Sequence, residues 1–401
     1  MNIVYSFLIG AIAILLPWGR SINSISIVLL AIVWLFSFDW KSKWSNLIKY
    51  KFELLPFLAY FFIHIIVLSY SKNFNAGIEE IIKKLSFFIL PIVIFSVADE
   101  IAPYIDKIKQ SFIWSLFFYF IVSLITAYSY YLDGNKLAFY YIHLISYTKM
   151  HPSYISIFLI IGIAFAYNLG LNGKKLYYLF IPIFIIFVLL LSARTEILIL
   201  GIVLIIICLY HFKRIEKPVI GYLLVLLILF ASFASIKYIP ELNTRFSVLK
   251  KGEENSENLV NIKNERNQIW TLAIEQIYKT PISGIGVGAS QDFYFSKFKE
   301  KKYILLELKK LNNTHNQFLH QFLITGLFGF IICMFFYFYP LYKSLVYKDL
   351  ISFILNSTFI IASITECILE TQSGIVGVVL FSCICLVKNH RYDNSATSYL
   401  T

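Results

Sequence analysis

Apolar residues run through this chain in blocks of membrane length, broken by short polar connections. The blocks fall at about 3–18, 22–38, 53–71, 85–98, 111–132, 152–170, 176–192, 195–211, 218–237, 321–340, 350–367 and 371–388. Runs of roughly 16 to 22 apolar residues predict helices that cross a bilayer rather than helices of a water-soluble core. The pattern therefore predicts an all-α membrane protein with about twelve transmembrane helices and one long, partly helical outer loop. The expected divisions are transmembrane helices 1–9 over 1–237, a large loop over 238–320, helices 10–12 over 321–388 and a tail over 389–401.

The loop interrupts the apolar pattern for about 80 residues, so the chemistry is expected at its two ends. One end reads Asn264-Glu-Arg266-Asn-Gln-Ile-Trp270 and then Pro281-Ile-Ser-Gly284-Ile-Gly286-Val-Gly288. The other reads Asn313-Thr314-His315-Asn316-Gln317-Phe-Leu319, running into Thr325-Gly326-Leu-Phe-Gly329.

Composition supports the membrane class. Of 401 residues 59% are hydrophobic and only 14% charged, with mean hydropathy +0.73. A soluble domain carries near 25% charged residues. The formal charge of +12 then needs no nucleic acid as partner; loop lysines set topology and meet anionic lipid. Counting basic residues in short loops favours cytoplasmic termini by about two to one, which turns the long loop outward, to the periplasm if the cell is Gram-negative. The expected location is the inner membrane, with multiple passes. The first run, from Ile3 to Trp18, lacks a basic leading segment and a good cleavage site, so it reads as a retained span. Cys208, Cys333, Cys367, Cys383 and Cys385 sit in or beside apolar runs and read as structural thiols; Cys383-Ile-Cys385 has no histidine or second pair beside it.

Arg194, in Leu191-Ser-Ala-Arg194-Thr-Glu196, is pinned by a very short turn at the outer end of a helix. There it serves as a phosphate ligand through its donor fork, or it snorkels or pairs with Glu196. Asn264 is a plausible N-cap for an amphipathic helix that Arg266 opens, with Ile269, Trp270, Ala273, Ile274 and Ile277 on one stripe; Arg266 alternatively pairs with Glu265 or Glu241. Gly284, Gly286 and Gly288 lack the Lys-Ser/Thr of a phosphate loop and a preceding strand, so tight loop packing comes first and backbone approach to a ligand second.

Thr314-His-Asn-Gln317 has the form of a capping box, which puts His315 in the first turn of the tenth span. A neutral histidine at a membrane boundary is a reasonable general base, or simply a histidine satisfied at the interface; His320 is the second choice. Glu366 and Glu370 share a helix face at i,i+4, a proton or cation site if the chain is a transporter. Glu79-Glu80-Ile-Ile-Lys83-Lys84 places lysines against the charge rule, which hints at an anionic headgroup. His151-Pro152 begins a helix or touches a polar substrate. Phe293 to Lys302 interleaves aromatics with lysines and reads as a segment lying on the bilayer surface. No Asp-x-Asp pair, His-Glu-x-x-His or nucleophile elbow occurs in the chain.

Taken together, Arg266-Asn-Gln-Ile-Trp270, Pro281-Ile-Ser-Gly284-Ile-Gly286, His315-Asn316-Gln317-Phe318-Leu319 and Gly326-Leu-Phe-Gly329 resemble the O-antigen ligase/polymerase superfamily of bacterial membrane proteins. Ser192-Ala-Arg194 and Lys84-Leu-Ser-Phe-Phe-Ile-Leu-Pro91 fit its looser patterns. The resemblance implies a glycosyltransferase that uses neither metal nor cofactor. It would move a glycan from undecaprenyl diphosphate to a hydroxyl of lipid A–core or another glycan acceptor. His315 would then be the base, with Arg194 and Arg266 gripping the diphosphate and Lys84, His151, Asn316, Gly284 and Gly286 as substrate contacts. A repeat-unit polymerase of the same superfamily is the alternative; a transporter or lipid flippase is the reading from another class. The loop's 254–258 and 297–310 stretches match no pattern of the superfamily.

Overall fold

The computed structural model describes residues 2–148, 150–214, 257–303 and 313–397. The apolar run at 218–237, Glu241 and the loop middle around 245–256 and 304–312 lie outside the described residues. Among the described residues all regular structure is helical. In chain order we label the main helices α1 (Asn2–Leu15), α2 (Arg20–Phe36), α3 (Trp40–Lys49), α4 (Lys51–Leu68), α5 (Phe74–Lys84), α6 (Ser86–Ser96), α7 (Ile105–Leu132), α8 (Pro152–Leu171), α9 (Phe180–Leu191), α10 (Arg194–Arg214), α11 (Glu257–Lys279), α12 (Ser290–Glu300), α13 (Gln317–Val346), α14 (Leu350–Thr365) and α15 (Gln372–Thr397).

Helices underlie the expected apolar runs within the described residues, but fewer of them have membrane length. Five are long and apolar enough to cross a bilayer, or six if the bent pair α2–α3 counts as one. The shortfall is geometric. Helix α6 has 11 residues, which at 1.5 Å per residue is about 16 Å, well short of a ~30 Å hydrocarbon core. The chain turns at Leu85 from amphipathic α5 into α6. After α2 it bends by 116° into α3, where the Asp39 carboxylate accepts the Ser42 N–H at 3.3 Å as an N-cap.

Two compact units divide the chain. The first comprises residues 1–16, 20–108 and 260–401; the second comprises 17–19 and 109–259. In the second, α8 is buried along nearly its whole length. Its Gly162 lets neighbours close in, because a Cβ there would lie 2.7 Å from Leu116 Cδ1 and 3.0 Å from Phe184 Cε2. The turn between α9 and α10 is made by Ser192 at φ 51°.

In the first unit an aromatic cluster joins α4, α6 and α13. Tyr60 lies against Phe87 and Phe336, with ring centroids 4.5 and 5.4 Å away. The Tyr60 hydroxyl donates to Gln321 Oε1 at 2.9 Å. Towards one end of α13 a second core forms from Ile269, Leu272 and Ala273 of α11, Tyr294 and Phe298 of α12, and Leu323 of α13, with Trp270, Ile277 and Leu319 packed against it. This accounts for the apolar stripe of α11, except that Ile274 is exposed.

Helix α13 is broken at Gly326, whose φ 67° and ψ −166° are not helical. The break frees backbone groups, and the glycine loop takes them up. Ile285 N–H donates to Leu323 O at 2.9 Å, Gly286 N–H to Ile324 O at 3.0 Å, and Leu327 N–H to Pro281 O at 2.8 Å. A membrane-depth kink requires such replacement partners, since unpaired backbone groups are costly in apolar surroundings.

Candidate functional site

Helix α11 carries Arg266 and Trp270 four residues apart, hence on one face. The Trp270 indole N–H donates to the Thr314 carbonyl at 2.8 Å, which docks α11 onto the turn that holds His315. Helix α11 begins at Glu257, so Asn264 is not its cap and Arg266 lies within it rather than opening it. Nothing between 257 and 264 breaks a helix: the stretch contains neither proline nor glycine.

The turn before α13 also differs from the expected capping box. Asn316, not Thr314, is the N-cap, and its Oδ1 accepts the Leu319 N–H at 3.0 Å. Thr314 instead braces the turn: its hydroxyl donates to Asn316 O at 2.6 Å and accepts from Asn316 N–H at 3.2 Å. His315 therefore stands just outside the helix, at φ 49°, with its N–H on Asn313 Oδ1 at 3.0 Å. Histidine is among the few residues that visit this region, and such positions gather at functional sites. Asparagine competes well with threonine for capping, and Gln317 uses its side chain elsewhere, so the box has no closing partner.

Glu366 joins the two. Its Oε2 lies 3.4 Å from His315 Nδ1, and its Oε1 lies 3.8 Å from Arg266 Nη2. The side chains of Arg266 and His315 keep 43% and 31% of their exposure, and that of Glu366 17%, so the cluster opens to a ligand on the basic side. A carboxylate only accepts, so an imidazole facing it through Nδ1 carries its proton there and, when neutral, keeps a bare Nε2. The ion pair itself is long and exposed, and contributes at most about 1 kcal/mol.

Glu366 and Glu370 do not share a helix face. Helix α14 ends at Thr365, and Glu366 is already extended at φ −140°; Glu370 ends a single 3₁₀ turn, Ile368–Glu370. Each carboxylate serves a different basic group. Glu370 Oε2 is 3.1 Å from Lys84 Nζ, whose ammonium also lies 3.3 Å from Glu80 Oε2. Lys84 is wholly buried. Burial acts against its charge, but Glu370 and then Glu80 outweigh it and hold its pKa above the ordinary value. Burial likewise works to raise the Glu80 carboxyl, yet Lys84 and then Lys83 overcome it and hold the group down to about 2. The His320 imidazole Nε2 lies 3.8 Å from Glu370.

Gly284 and Gly286 approach other backbone closely. A Cβ on Gly284 would lie 2.6 Å from Gly326 N, and one on Gly286 2.9 Å from Ser71 Cα. In the second unit, Arg194 is the first residue of α10, two positions after the left-handed Ser192. His151 is the N-cap of α8, its Nδ1 accepting the Ser153 N–H at 3.3 Å, and Pro152 stands at the helix start as its position implied.

The sequence reading missed the separation of Glu366 from Glu370 and the seat of Lys84 between carboxylates. The i,i+4 spacing of Glu80 and Lys84 was the local signal for half of the Lys84 seat; no glycine or proline between 366 and 370 marks the end of α14.

These features define a multi-pass membrane protein, helical throughout its described residues, with a polar cluster formed by Arg266 within α11, His315 in the turn before α13 and Glu366 after α14. Residues 178–334 match the family model described as O-antigen ligase, which supports a likeness to the O-antigen ligase superfamily over that part of the chain. The match covers Arg194, Arg266, Gly284, Gly286, His315 and Asn316; Lys84, His151, Glu366 and Glu370 lie outside it. A comparison with curated proteins found no match. The family suggests a glycosyltransferase-like enzyme whose substrates are a lipid-linked glycan and an acceptor.

Proposed function

We propose that the chain is an O-antigen ligase-type transferase that moves a glycan from undecaprenyl diphosphate to an acceptor hydroxyl on lipid A–core or a related glycan. The observation that carries this reading is Glu366 bridging His315 and Arg266. In it, His315 is the base, Glu366 its orienting carboxylate and Arg266 a cation for the leaving diphosphate.

The chemistry balances as one displacement. The acceptor oxygen forms a bond to the anomeric carbon as the bond from that carbon to the diphosphate oxygen breaks. The acceptor proton passes to His315 Nε2, and the electron pair leaves with the diphosphate. Attack from the opposite face inverts the anomeric configuration. The guanidinium fork of Arg266 stabilises the charge that develops on the leaving oxygens. Arginine supplies the positive charge, so the reaction runs without metal and a chelator leaves the rate unchanged. Asn316 caps the helix behind His315, and its role toward substrate is through that turn.

The same reading includes about twelve crossings, both termini cytoplasmic and the 238–320 loop periplasmic in the inner membrane, with helices over 1–237 and 321–388 and a tail over 389–401. Polymerisation of repeat units is the alternative outcome. Deleting the chain's gene and resolving lipopolysaccharide on gels decides between them. Loss of all long chains, with lipid-linked polymer accumulating, supports the ligase; one repeat unit kept on the core supports the polymerase. Unchanged ladders overturn both.

A further inference from the structure

The stretch from Glu366 to Glu370 joins α14 to α15 almost without helical bonds of its own, yet it is stitched along its length to the residues around His315. Glu366 Oε2 meets His315 Nδ1 at 3.4 Å. Cys367 Sγ lies 3.7 Å from the Thr314 hydroxyl. Leu369 N–H donates to Gln317 Oε1 at 2.8 Å, and Gln317 Nε2 donates to Glu370 Oε1 at 3.4 Å. Gln317 is the first residue of α13 after the Asn316 cap, and it is fully buried.

Behind the stretch stand two further supports. Lys84, at the end of α5, holds Glu370 Oε2 at 3.1 Å. Gly374, in the first turn of α15, lets that helix press against the stretch; a Cβ there would lie 2.1 Å from Ile368 O.

We infer that Glu370, Gln317 and Lys84 are positioning residues for the transfer reaction, holding the 366–370 stretch as a strap that keeps the Glu366 carboxylate on His315. The inference rests on the reading of His315 as the base. It also reassigns Lys84. A wholly buried ammonium already facing two carboxylates is spoken for, so its charge serves the strap and the diphosphate is left to the Arg266 guanidinium. Small displacements suffice for an effect, because a base misplaced by about 1 Å loses on the order of 100-fold in rate.

The test separates turnover from donor affinity, using membranes containing each variant and lipid-linked glycan extracted from the host strain. Glu370→Gln and Lys84→Met are expected to lower kcat about tenfold or more while donor KM stays within about twofold, the signature of lost transition-state geometry. Lys84→Arg keeps both ion pairs and is expected to retain at least about a third of the kcat. Gln317→Met removes two hydrogen bonds and no charge; it carries the test if either charge variant fails to insert, and its kcat is expected to fall likewise.

A rise of tenfold or more in donor KM for Lys84→Met, with kcat kept, puts Lys84 on the diphosphate and overturns the inference. Wild-type kcat in both Glu370→Gln and Gln317→Met overturns it as well. If those two transfer normally while His315→Ala is inactive, the strap alone fails. If His315→Ala transfers normally, the base assignment fails first.

Discussion

Replacing Gly326 by alanine tests how the polar loop is anchored to the membrane helices. At φ 67° and ψ −166° the residue occupies a region open essentially to glycine, and an L side chain there costs about 1–3 kcal/mol. The added Cβ would lie 2.0 Å from Ile282 O, 2.4 Å from Ile282 C and 2.8 Å from Gly284 N. All three are backbone atoms that cannot rotate aside, so the 281–288 loop must move; overpacking of this kind costs a further 1–3 kcal/mol or so. Movement also strains the three backbone bonds between this loop and α13. The total, about 2–6 kcal/mol, is a large part of an ordinary domain's stability. The assay is thermal unfolding in detergent micelles, followed by circular dichroism. Gly10→Ala is the control: its Cβ meets nothing within 4 Å, and alanine in a helix is favoured over glycine by roughly 0.5–1 kcal/mol. Gly326→Ala is expected to unfold well below wild type and to lose transfer, while Gly10→Ala unfolds at or above wild type. Equal unfolding temperatures for Gly326→Ala and wild type would refute the argument.

Other outcomes follow from the same geometry. Glu366→Gln, which keeps the shape but loses the charge that fixes the imidazole, is expected to lower kcat by about 100-fold, within the usual range for a general base, measured in the membrane transfer assay; a change under threefold would contradict it. Trp270→Phe removes the hydrogen bond to Thr314 O and is expected to cost about 1 kcal/mol of unfolding free energy, with a lower melting temperature and reduced transfer. Glu80 has a folded pKa of about 2 against an ordinary 4.5, so its charge stabilises the protein above the ordinary value and that contribution is lost as pH falls through the folded one. Melting scans over pH are therefore expected to show Glu80→Gln less stable than wild type near neutrality, with the gap narrowing in acid; a gap that widens in acid would reverse the sign.

What the sequence revealed depended on how local the determinant was. The apolar runs within the described residues and the periodic stripe of α11 appear as helices, though only five or six of the helices have membrane length. The glycines from 284 to 288 announced tight packing, though not that Gly284 meets Gly326 across a broken helix, because that contact joins residues far apart in the chain. The cap at Asn316 was misread because Thr314 and Asn316 are near-equal cap formers; what separates them is that Gln317 turns to Leu369 and Glu370 instead of closing a box. Glu366 and Glu370 looked like neighbours on a helix because no breaker stands between them. Their separation is imposed by partners from α5, α11 and α13, which no spacing rule records. Arg266 and Glu366 meet 100 positions apart, so only the fold brings that pair into view.

The central claim is that His315 takes the acceptor proton, and chemical rescue tests it most directly. His315→Gly suits the φ of 49° at this position, so the substitution removes the imidazole without straining the turn. Transfer by His315→Gly is measured with and without added imidazole, beside Arg266→Ala. The account predicts that His315→Gly is inactive and recovers in part with imidazole, while Arg266→Ala does not recover. Wild-type transfer by His315→Gly without imidazole would contradict it.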